Sequence, residues 1–342
     1  MTHPTTFLVS PAPLRRRTPR GSRGRRLAVA AAAIVLLAGC GGYDDTTVPE
    51  AQPASPAPAA PNTLEPCDND GTEVRSYEPD ADETDNDEVV AIRERGKLVA
   101  GVAADTLLLG ARNQAENQIQ GFDIDMVYAI ADAIFPEEGR EALDARNRVD
   151  LKVITAAQRI PLLQDGTIDI VARNMTVNCS RWQQIAFSEI YYNAGQKVLV
   201  GVDSGISTIA DLAGKRICAP AGTTSIENIQ VLAPEAIPVT STDNSACMVL
   251  FQNGDADGVS TDDTVLAGLA AQDPYATVLK TDFLTKEPYG IGVNQDNVGL
   301  VQLINRVLED MRRDGRWKAS YDRWLEPELQ VEGKQPPPRY GR

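Results

Sequence analysis

Three short segments of this sequence carry side chains that can bind small charged groups. Arg181 lies five residues after Thr176, and the planar guanidinium of an arginine can hold a carboxylate through two parallel hydrogen bonds. A surface arginine at the start of a helix is the alternative interpretation. The Gly-Thr-Thr-Ser segment at 222–225 lies between a predicted strand and a predicted helix, where free N–H groups attract anions. Asp262 and Asp263 follow another strand and can accept hydrogen bonds from an ammonium group or cap a helix.

The residues that are missing exclude several kinds of catalysis. His3 is the only histidine, and it lies in a predicted leader peptide. The exported chain therefore has no imidazole for a Ser-His-Asp or Cys-His nucleophile, or for a histidine-containing zinc site. No Walker loop, dinucleotide fingerprint or CxxC motif is present. We predict a protein that is not an enzyme and that needs neither a metal nor a cofactor.

Alternating strand and helix patterns must position these residues. Globular patterning runs from about 89 to 329, with short apolar runs such as 197–200 between helical patterns such as 122–135. The segment 298–312 repeats apolar residues at helical spacing, so it should bury one face. The alternation predicts an α/β fold with mostly parallel sheets. Ligands in such folds lie beyond the carboxyl ends of the strands.

The first 39 residues have the features of a signal peptide. They contain seven arginines, no acid, and an apolar run from 27 to 38 that is too short to span a bilayer. Leu37-Ala38-Gly39-Cys40 resembles the lipobox of bacterial lipoproteins, which implies that Cys40 is lipidated and becomes the mature N-terminus. An uncleaved anchor is the alternative. Either way, the sequence predicts an extracytoplasmic protein held at the membrane.

The segment 40–87 is predicted to be a lipidated, Pro/Ala- and acid-rich tether. Without its leader the chain keeps 26 basic residues against 48 acids, a net charge of −22. Such a surface disfavours nucleic acid and anionic headgroups, so membrane attachment is assigned to the N-terminal lipid.

From about 97 to 325 the chain resembles the polar amino-acid-binding proteins of ABC importers. The nearest members are the glutamine- and glutamate/aspartate-binding lipoproteins, particularly those of actinobacteria. The resemblance rests on GFDID at 121–125, AQRIPLL at 157–163, NMT at 174–176 followed by Arg181, FS at 187–188, GTTS at 222–225, the Asp262-Asp263 pair, YG at 289–290, and DGRW at 314–317. It implies a type II periplasmic-binding fold, in which two lobes close about a hinge.

The resemblance also implies a role for each candidate residue. Arg181 and Thr176 would hold the ligand's α-carboxylate, with the Thr224 N–H approaching it from the other lobe. Asp262, rather than Asp263, would accept from the α-ammonium group, assisted by the Asn174 backbone carbonyl.

Side-chain specificity is implied by fewer residues. Arg159 falls where glutamate/aspartate binders place an arginine for the distal carboxylate, which favours an acidic ligand over an amide. Thr223 could reach the ligand side chain, and Asn244 could serve as a neutral donor. A second family arginine and a covering aromatic are absent from the loop after the first strand.

The predicted lobes also limit which cysteines can form disulfides with each other. Lobe 1 is predicted over 88–195 and 287–329, lobe 2 over 196–286, and a flexible tail over 330–342. Four cysteines besides Cys40 allow three pairings, and free buried thiols are the alternative to any pairing. A bridge between lobes would prevent opening, so we predict Cys218–Cys247 and Cys67–Cys179.

The sequence therefore predicts a monomeric solute-binding lipoprotein that captures glutamate or aspartate, or alternatively glutamine or asparagine. Its partner would be an ABC permease, or a membrane sensor protein in the competing interpretation. An enzyme on the same fold is the third possibility, disfavoured because the sequence offers no acid or base beyond those assigned to ligand recognition.

Overall fold

The computed structural model describes residues 64–79, 86–135 and 145–342. The predicted signal peptide, Cys40 and the tether residues 40–63 and 80–85 lie outside these ranges. The described strands are β1 (Leu98–Val102), β2 (Asp105–Thr106), β3 (Gly110–Asn113), β4 (Gln118–Gln120), β5 (Val149–Val153), β6 (Ile170–Val171), β7 (Ala186–Gly201), β8 (Arg216–Pro220), β9 (Ile237–Ser241), β10 (Gly258–Asp262), β11 (Ala276–Val278) and β12 (Lys286–Val293). The helices are α1 (Asp87–Arg95), α2 (Phe122–Ile134), α3 (Arg159–Gln164), α4 (Cys179–Trp182), α5 (Thr224–Leu232), α6 (Asn244–Gln252), α7 (Asp263–Ala270), α8 (Val298–Asp314), α9 (Arg316–Trp324) and α10 (Glu326–Leu329).

Two parallel half-sheets are joined by a pair of antiparallel strands. The strand order is β5-β1-β6-β12-β7-β10-β8-β9, with β11 also paired to β7. In the first half, β1 runs parallel to β5 and β6; in the second half, β8 runs parallel to β9 and β10. Helices pack against both halves, so the predicted α/β class is confirmed.

The strand β7 belongs to both halves. It pairs with β12 from Ala186 to Gly195 and with β10 from Gln196 to Val200. The predicted crossings between lobes, near 193–197 and near 286–289, fall at this change of partner and at the start of β12. The exact lobe boundaries remain a prediction.

Apolar periodicity accounts for the principal helices. The predicted stripe of 298–312 becomes α8, which buries Leu300, Leu303, Ile304, Val307, Leu308 and Met311 against the sheet and its neighbours. The helix α8 ends at Gly315, whose φ of 86° lies in the left-handed region that favours glycine. Among the described residues, every helix is too short or too polar to cross a bilayer.

Both predicted disulfides are present. Cys218–Cys247 lies in the second half, where it joins β8 to α6. Cys67–Cys179 joins the segment 64–79 to the first residue of α4. Neither disulfide connects the two halves of the sheet.

Two segments that flank the predicted lobes are more ordered than predicted. Residues 330–342, expected to form a flexible tail, instead pack against the first half. The Gln335 side chain is buried and donates to the Leu308 carbonyl, while the Tyr340 hydroxyl donates to Glu309 and Glu189. The last part of the predicted tether is also folded, since Ser76 is fully buried and pairs with Tyr340 in an isolated bridge. The composition of the two segments does not predict this order, because hydrogen bonds with buried polar groups elsewhere in the domain hold both of them.

Candidate functional site

Loops at the carboxyl ends of strands in both halves carry the predicted site residues. This is the edge at which α/β folds gather ligand-binding groups. The first half supplies Arg159, Asn174, Thr176 and Arg181, and the second half supplies Thr223, Thr224, Asn244 and Asp262. All of these except Thr223 and Thr224 are buried, so the cleft between the halves is closed.

Arg159 bridges the cleft through backbone carbonyls. It begins α3, is only 2% exposed, and donates from Nε to the Ala156 carbonyl. Its Nη1 donates to the Arg173 and Asn174 carbonyls at 3.2 and 3.4 Å, and its Nη2 to the Gly222 carbonyl in the other half at 3.1 Å. Arg159 therefore lies between the two halves, with most of its donors already engaged by the protein.

Arg181 lies on the short helix α4. The Asn178 side chain caps this helix by accepting a hydrogen bond from the Arg181 N–H at 2.9 Å. The Arg181 guanidinium is buried and donates from Nη1 to the Thr176 carbonyl at 2.6 Å. This bond draws together the two residues whose spacing first indicated a carboxylate site.

Glu287, which sequence reasoning missed, connects the two halves beside Arg181. Its Oε2 accepts from the hydroxyls of Thr176 and Thr224, each at 2.7 Å, and its Oε1 accepts from Asn228 and Thr285. Glu287 is 2% exposed and lies at the start of β12, where the chain crosses between halves. Glu287 lies before the predicted run of apolar residues that becomes the end of β12, so no local pattern singled it out.

Asp262 ends β10 and presents one oxygen without a partner. Its Oδ2 accepts from the Tyr289 hydroxyl at 2.6 Å, whereas its buried Oδ1 receives no hydrogen bond from any described residue. Burial raises the pKa of Asp262 well above its ordinary value, and the nearby charge of Glu287 adds to the rise. Asp263 instead accepts from the Gly195 N–H at the edge of the cleft.

Two asparagines in the cleft are also incompletely paired. The Oδ1 atoms of Asn174 and Asn244 are buried and lack a donor within the described ranges. Asn174 has a positive φ of 36°, and its N–H donates to Asp123, which also accepts from the Tyr191 hydroxyl. Buried acceptors without donors are rare in folded proteins and need an explanation. Here they indicate a partner that donates hydrogen bonds.

Thr223 does not direct its hydroxyl toward the cleft. The hydroxyl donates to the Pro220 carbonyl of its own loop at 2.7 Å, so it is not oriented for the expected contact with a ligand side chain. Thr224, the first residue of α5, directs its hydroxyl to Glu287. The first N–H groups of this helix have no intrahelical partner and provide a partial positive charge.

Arg173 is a further buried arginine that the sequence did not single out. It is 2% exposed, precedes Asn174, and donates from Nε to the Ile154 carbonyl at 2.9 Å. Burial lowers its pKa, while Asp105 and Asp243, from opposite sides of the cleft, act against this. Arg173 lies two residues after the buried strand β6, and no local pattern distinguished it from other polar loop residues.

Three buried arginines thus lie in or beside the cleft, at Arg159, Arg173 and Arg181. None of them is within salt-bridge distance of an acid in the described part of the chain. Burial lowers the pKa of each guanidinium, and Arg159 is further disfavoured by the charges of Arg181 and Arg173. A buried charge is costly unless it is paired. The cleft is therefore suited to a ligand that brings negative charge to the arginines and donors to Asp262.

Comparison with known proteins finds similarity along most of the folded chain. The sequence pattern of the bacterial extracellular solute-binding proteins, family 3, matches residues 98–327. The chain is 34% identical over 244 residues to the glutamine-binding protein GlnH of an ABC transporter from Bacillus subtilis, covering 71% of this chain and 86% of that protein. It is 28% identical to the glutamate-binding protein GluB of Corynebacterium glutamicum over 244 residues, 69% of this chain and 81% of that protein.

Solved structures extend the similarity to the fold. An ancestral arginine-binding protein bound to glutamine superposes with a TM-score of 0.60 at 30% identity, covering 68% of this chain and 98% of that one. The folded segments 64–79 and 330–342 lie outside the part that the family pattern matches.

Proposed function

Since this chain belongs to the bacterial extracellular solute-binding proteins of family 3, we propose that it captures glutamate or aspartate outside the cytoplasm. The two halves of the fold would close on the ligand and present it to an ABC importer. The lipid on Cys40 would hold the protein at the membrane.

One observation carries the proposal: three buried arginines share a closed cleft with no acid of the described chain in salt-bridge range. An acidic amino acid brings two carboxylates and one ammonium group. Two carboxylates can neutralise two of the guanidinium groups, and an amide ligand supplies only one. The cleft also contains the buried acids Asp262 and Glu287, but neither is within salt-bridge distance of a described arginine, so we infer that a second ligand carboxylate is favoured.

The donors and acceptors support one orientation of the ligand. We assign the α-carboxylate to Arg181 and to the N-terminus of α5, which approach from opposite halves. The α-ammonium group is assigned to the Oδ1 of Asp262, since this buried acceptor has no donor among the described residues. A ligand that contacts both halves stabilises the closed form by its differential affinity for that form.

The distal carboxylate is assigned to Arg159 and Arg173 together. Arg159 has four carbonyl acceptors for its five N–H groups, so about one N–H group remains to donate to the ligand. Arg173 donates to a described residue only through Nε, and its terminal nitrogens make no hydrogen bond within those ranges. Arg173 is therefore our candidate for the main contact of the ligand side chain.

A thermal-shift screen of the purified protein against the twenty amino acids tests the proposal. A ligand at a hundred times its dissociation constant stabilises the folded state by about 2.7 kcal/mol, so the shifts rank the ligands directly. We expect glutamate and aspartate to give the largest shifts. If only glutamine or asparagine stabilised the protein, the assignment of an acidic side chain would be wrong. If no amino acid did, the function itself would be wrong.

Ligand binding should release a proton from Asp262 below its raised pKa. Burial raises the pKa of this carboxyl in the closed cleft without a ligand, and an ammonium group at Oδ1 lowers it again. Below the raised pKa, Asp262 must lose its proton to pair with the ammonium group, and this deprotonation costs free energy. The cost falls as the pH rises. Affinity should therefore increase with pH until Asp262 is ionised without ligand.

Calorimetry of glutamate binding in two buffers of different ionisation enthalpy measures this proton release. The release should disappear in Asp262→Asn. A release that persisted in this variant would be assigned to Asp123, whose pKa burial raises to about 6, and would contradict the role given to Asp262.

A further inference from the structure

The helix that carries Arg181 is held by parts of the chain outside the family's common domain. The helix α4 has only four residues, Cys179–Trp182, and an isolated helix of this length is unstable in water. Its position must therefore come from tertiary contacts. Two segments that supply several of them, residues 64–79 and 330–342, are here called the collar.

The first collar segment contacts α4 at both of its ends. At the start of the helix, Cys179 forms the disulfide to Cys67, and its N–H donates to the Asn69 side chain at 2.8 Å. At the end of the helix, the Trp182 indole N–H donates to the Glu73 carbonyl at 2.6 Å. Gln183, the next residue, exchanges two hydrogen bonds of 2.8 Å with the Glu65 backbone.

The second collar segment closes over the same tryptophan. The Arg342 guanidinium lies 3.8 Å from the centre of the Trp182 ring, within the range of a cation–π contact. Arg342 also donates from Nε to the Arg75 carbonyl at 2.8 Å, which ties the two segments together. The edge of Tyr77 packs on Trp182 from the first segment.

The collar also reaches the cleft. A cavity of about 720 Å³ is lined on one side by the collar and on the other by the groups that join the halves. Its walls include Glu73 and Arg339 from the collar, together with Thr176, Thr224 and Glu287. The collar therefore lines the same cavity as residues beside Arg181.

We propose that the collar, through the Cys67–Cys179 disulfide and the contacts on Trp182, positions Arg181 for the ligand's carboxylate. Cys67 and Cys179 are positioning residues, since they act only through Arg181. A binding group displaced by about 1 Å can lose most of its effect, so the disulfide should affect affinity as well as stability. The inference rests on the proposed function, because it assigns the carboxylate to Arg181.

The double variant C67S/C179S tests this inference by calorimetry with glutamate. We expect its affinity to fall by about tenfold to a hundredfold while the protein remains folded at the assay temperature. The matched control is Trp324→Phe, which removes a partly buried hydrogen bond to Asp125 outside both the collar and the assigned ligand groups. Its melting temperature should fall without a change in affinity.

A double-mutant cycle separates positioning from a general structural role. In an Arg181→Lys background, removal of the disulfide should weaken binding much less than it does with arginine present. Equal losses in the two backgrounds, or a dissociation constant for C67S/C179S within twofold of the wild type, would overturn the inference. The proposed function would survive either result, because it is tested by whether the wild-type protein binds glutamate or aspartate.

Selective reduction gives a second route if the double variant does not fold. Cys67 is exposed and Cys179 half-buried, whereas Cys218 and Cys247 are fully buried. A mild dithiol should therefore reduce the first disulfide to two thiols while itself becoming a disulfide, and alkylation with mass spectrometry identifies which pair has opened. Affinity should fall on reduction and return on reoxidation. Unchanged affinity after confirmed reduction would contradict the proposal.

Discussion

Replacing Arg181 by alanine is expected to weaken amino-acid binding by at least about 30-fold. The guanidinium is buried, has one carbonyl acceptor within the described chain, and forms no salt bridge there. Loss of one partner from a buried charge pair costs about 2–5 kcal/mol, which corresponds to roughly 30-fold to several thousandfold in the dissociation constant. Calorimetric titration with glutamate measures the loss.

Arg216→Ala is the matched control for this result. Arg216 forms a partly exposed salt bridge with Asp257 in the second half, and exposed pairs contribute little to stability. Its removal should leave ligand affinity unchanged. Glutamate binding by Arg181→Ala within a few fold of the wild type would show that the carboxylate is held elsewhere.

Replacing Arg159 by alanine is expected to change both affinity and selectivity. The side chain donates to carbonyls of both halves, so its loss weakens the closed form for every ligand. A hydrogen bond with a charged partner contributes about 1.5–3 kcal/mol, so we expect about a tenfold loss for glutamine. Glutamate also loses a partner for its distal carboxylate and should weaken about a hundredfold.

The ratio of the two affinities is the informative quantity. Competition calorimetry with glutamate and glutamine measures this ratio in Arg159→Ala and in Arg112→Ala. Arg112 is exposed on β3, donates to Asn117, and should leave both affinities unchanged when removed. Equal losses for both ligands in Arg159→Ala would show that Arg159 only connects the two halves and does not select the side chain of the ligand.

The sequence was most informative where one physical requirement dominates. The apolar stripe of α8 predicted a helix because only a 3.6-residue period buries these residues together. The disulfides followed from the rule that a closing cleft cannot be bridged across its lobes. The candidate site residues were found because carboxylate and ammonium recognition restricts the useful side chains to a few types.

The strand β7 was largely missed for the opposite reason. It extends over Ala186–Gly201, whereas apolar character predicted only 197–200. Almost every residue of β7 is buried on either face, so no alternation marks it, and its buried polar side chains interrupt the apolar run. Glu189 is tolerated there because Arg312 and Tyr340 pair with it from other elements.

Glu287, Arg173 and the collar were invisible to local patterns for a related reason. The role of Glu287 depends on donors from both halves that meet only after folding. Arg173 resembles any other polar residue in a loop until its burial is known. The collar consists of an acidic segment and a Pro-rich, basic segment, both typical of linkers, and contacts with Trp182 help to order both of them.

Titration with ligand analogues tests most directly the claim that both ends of an amino acid are recognised. Glutarate lacks the α-ammonium group of glutamate, and 4-aminobutyrate lacks its α-carboxylate. We expect one molecule of L-glutamate to bind per protein and neither analogue to bind measurably, since each leaves Asp262 or Arg181 without its partner. Binding of either analogue as tightly as glutamate would contradict the account of the cleft as an amino-acid site.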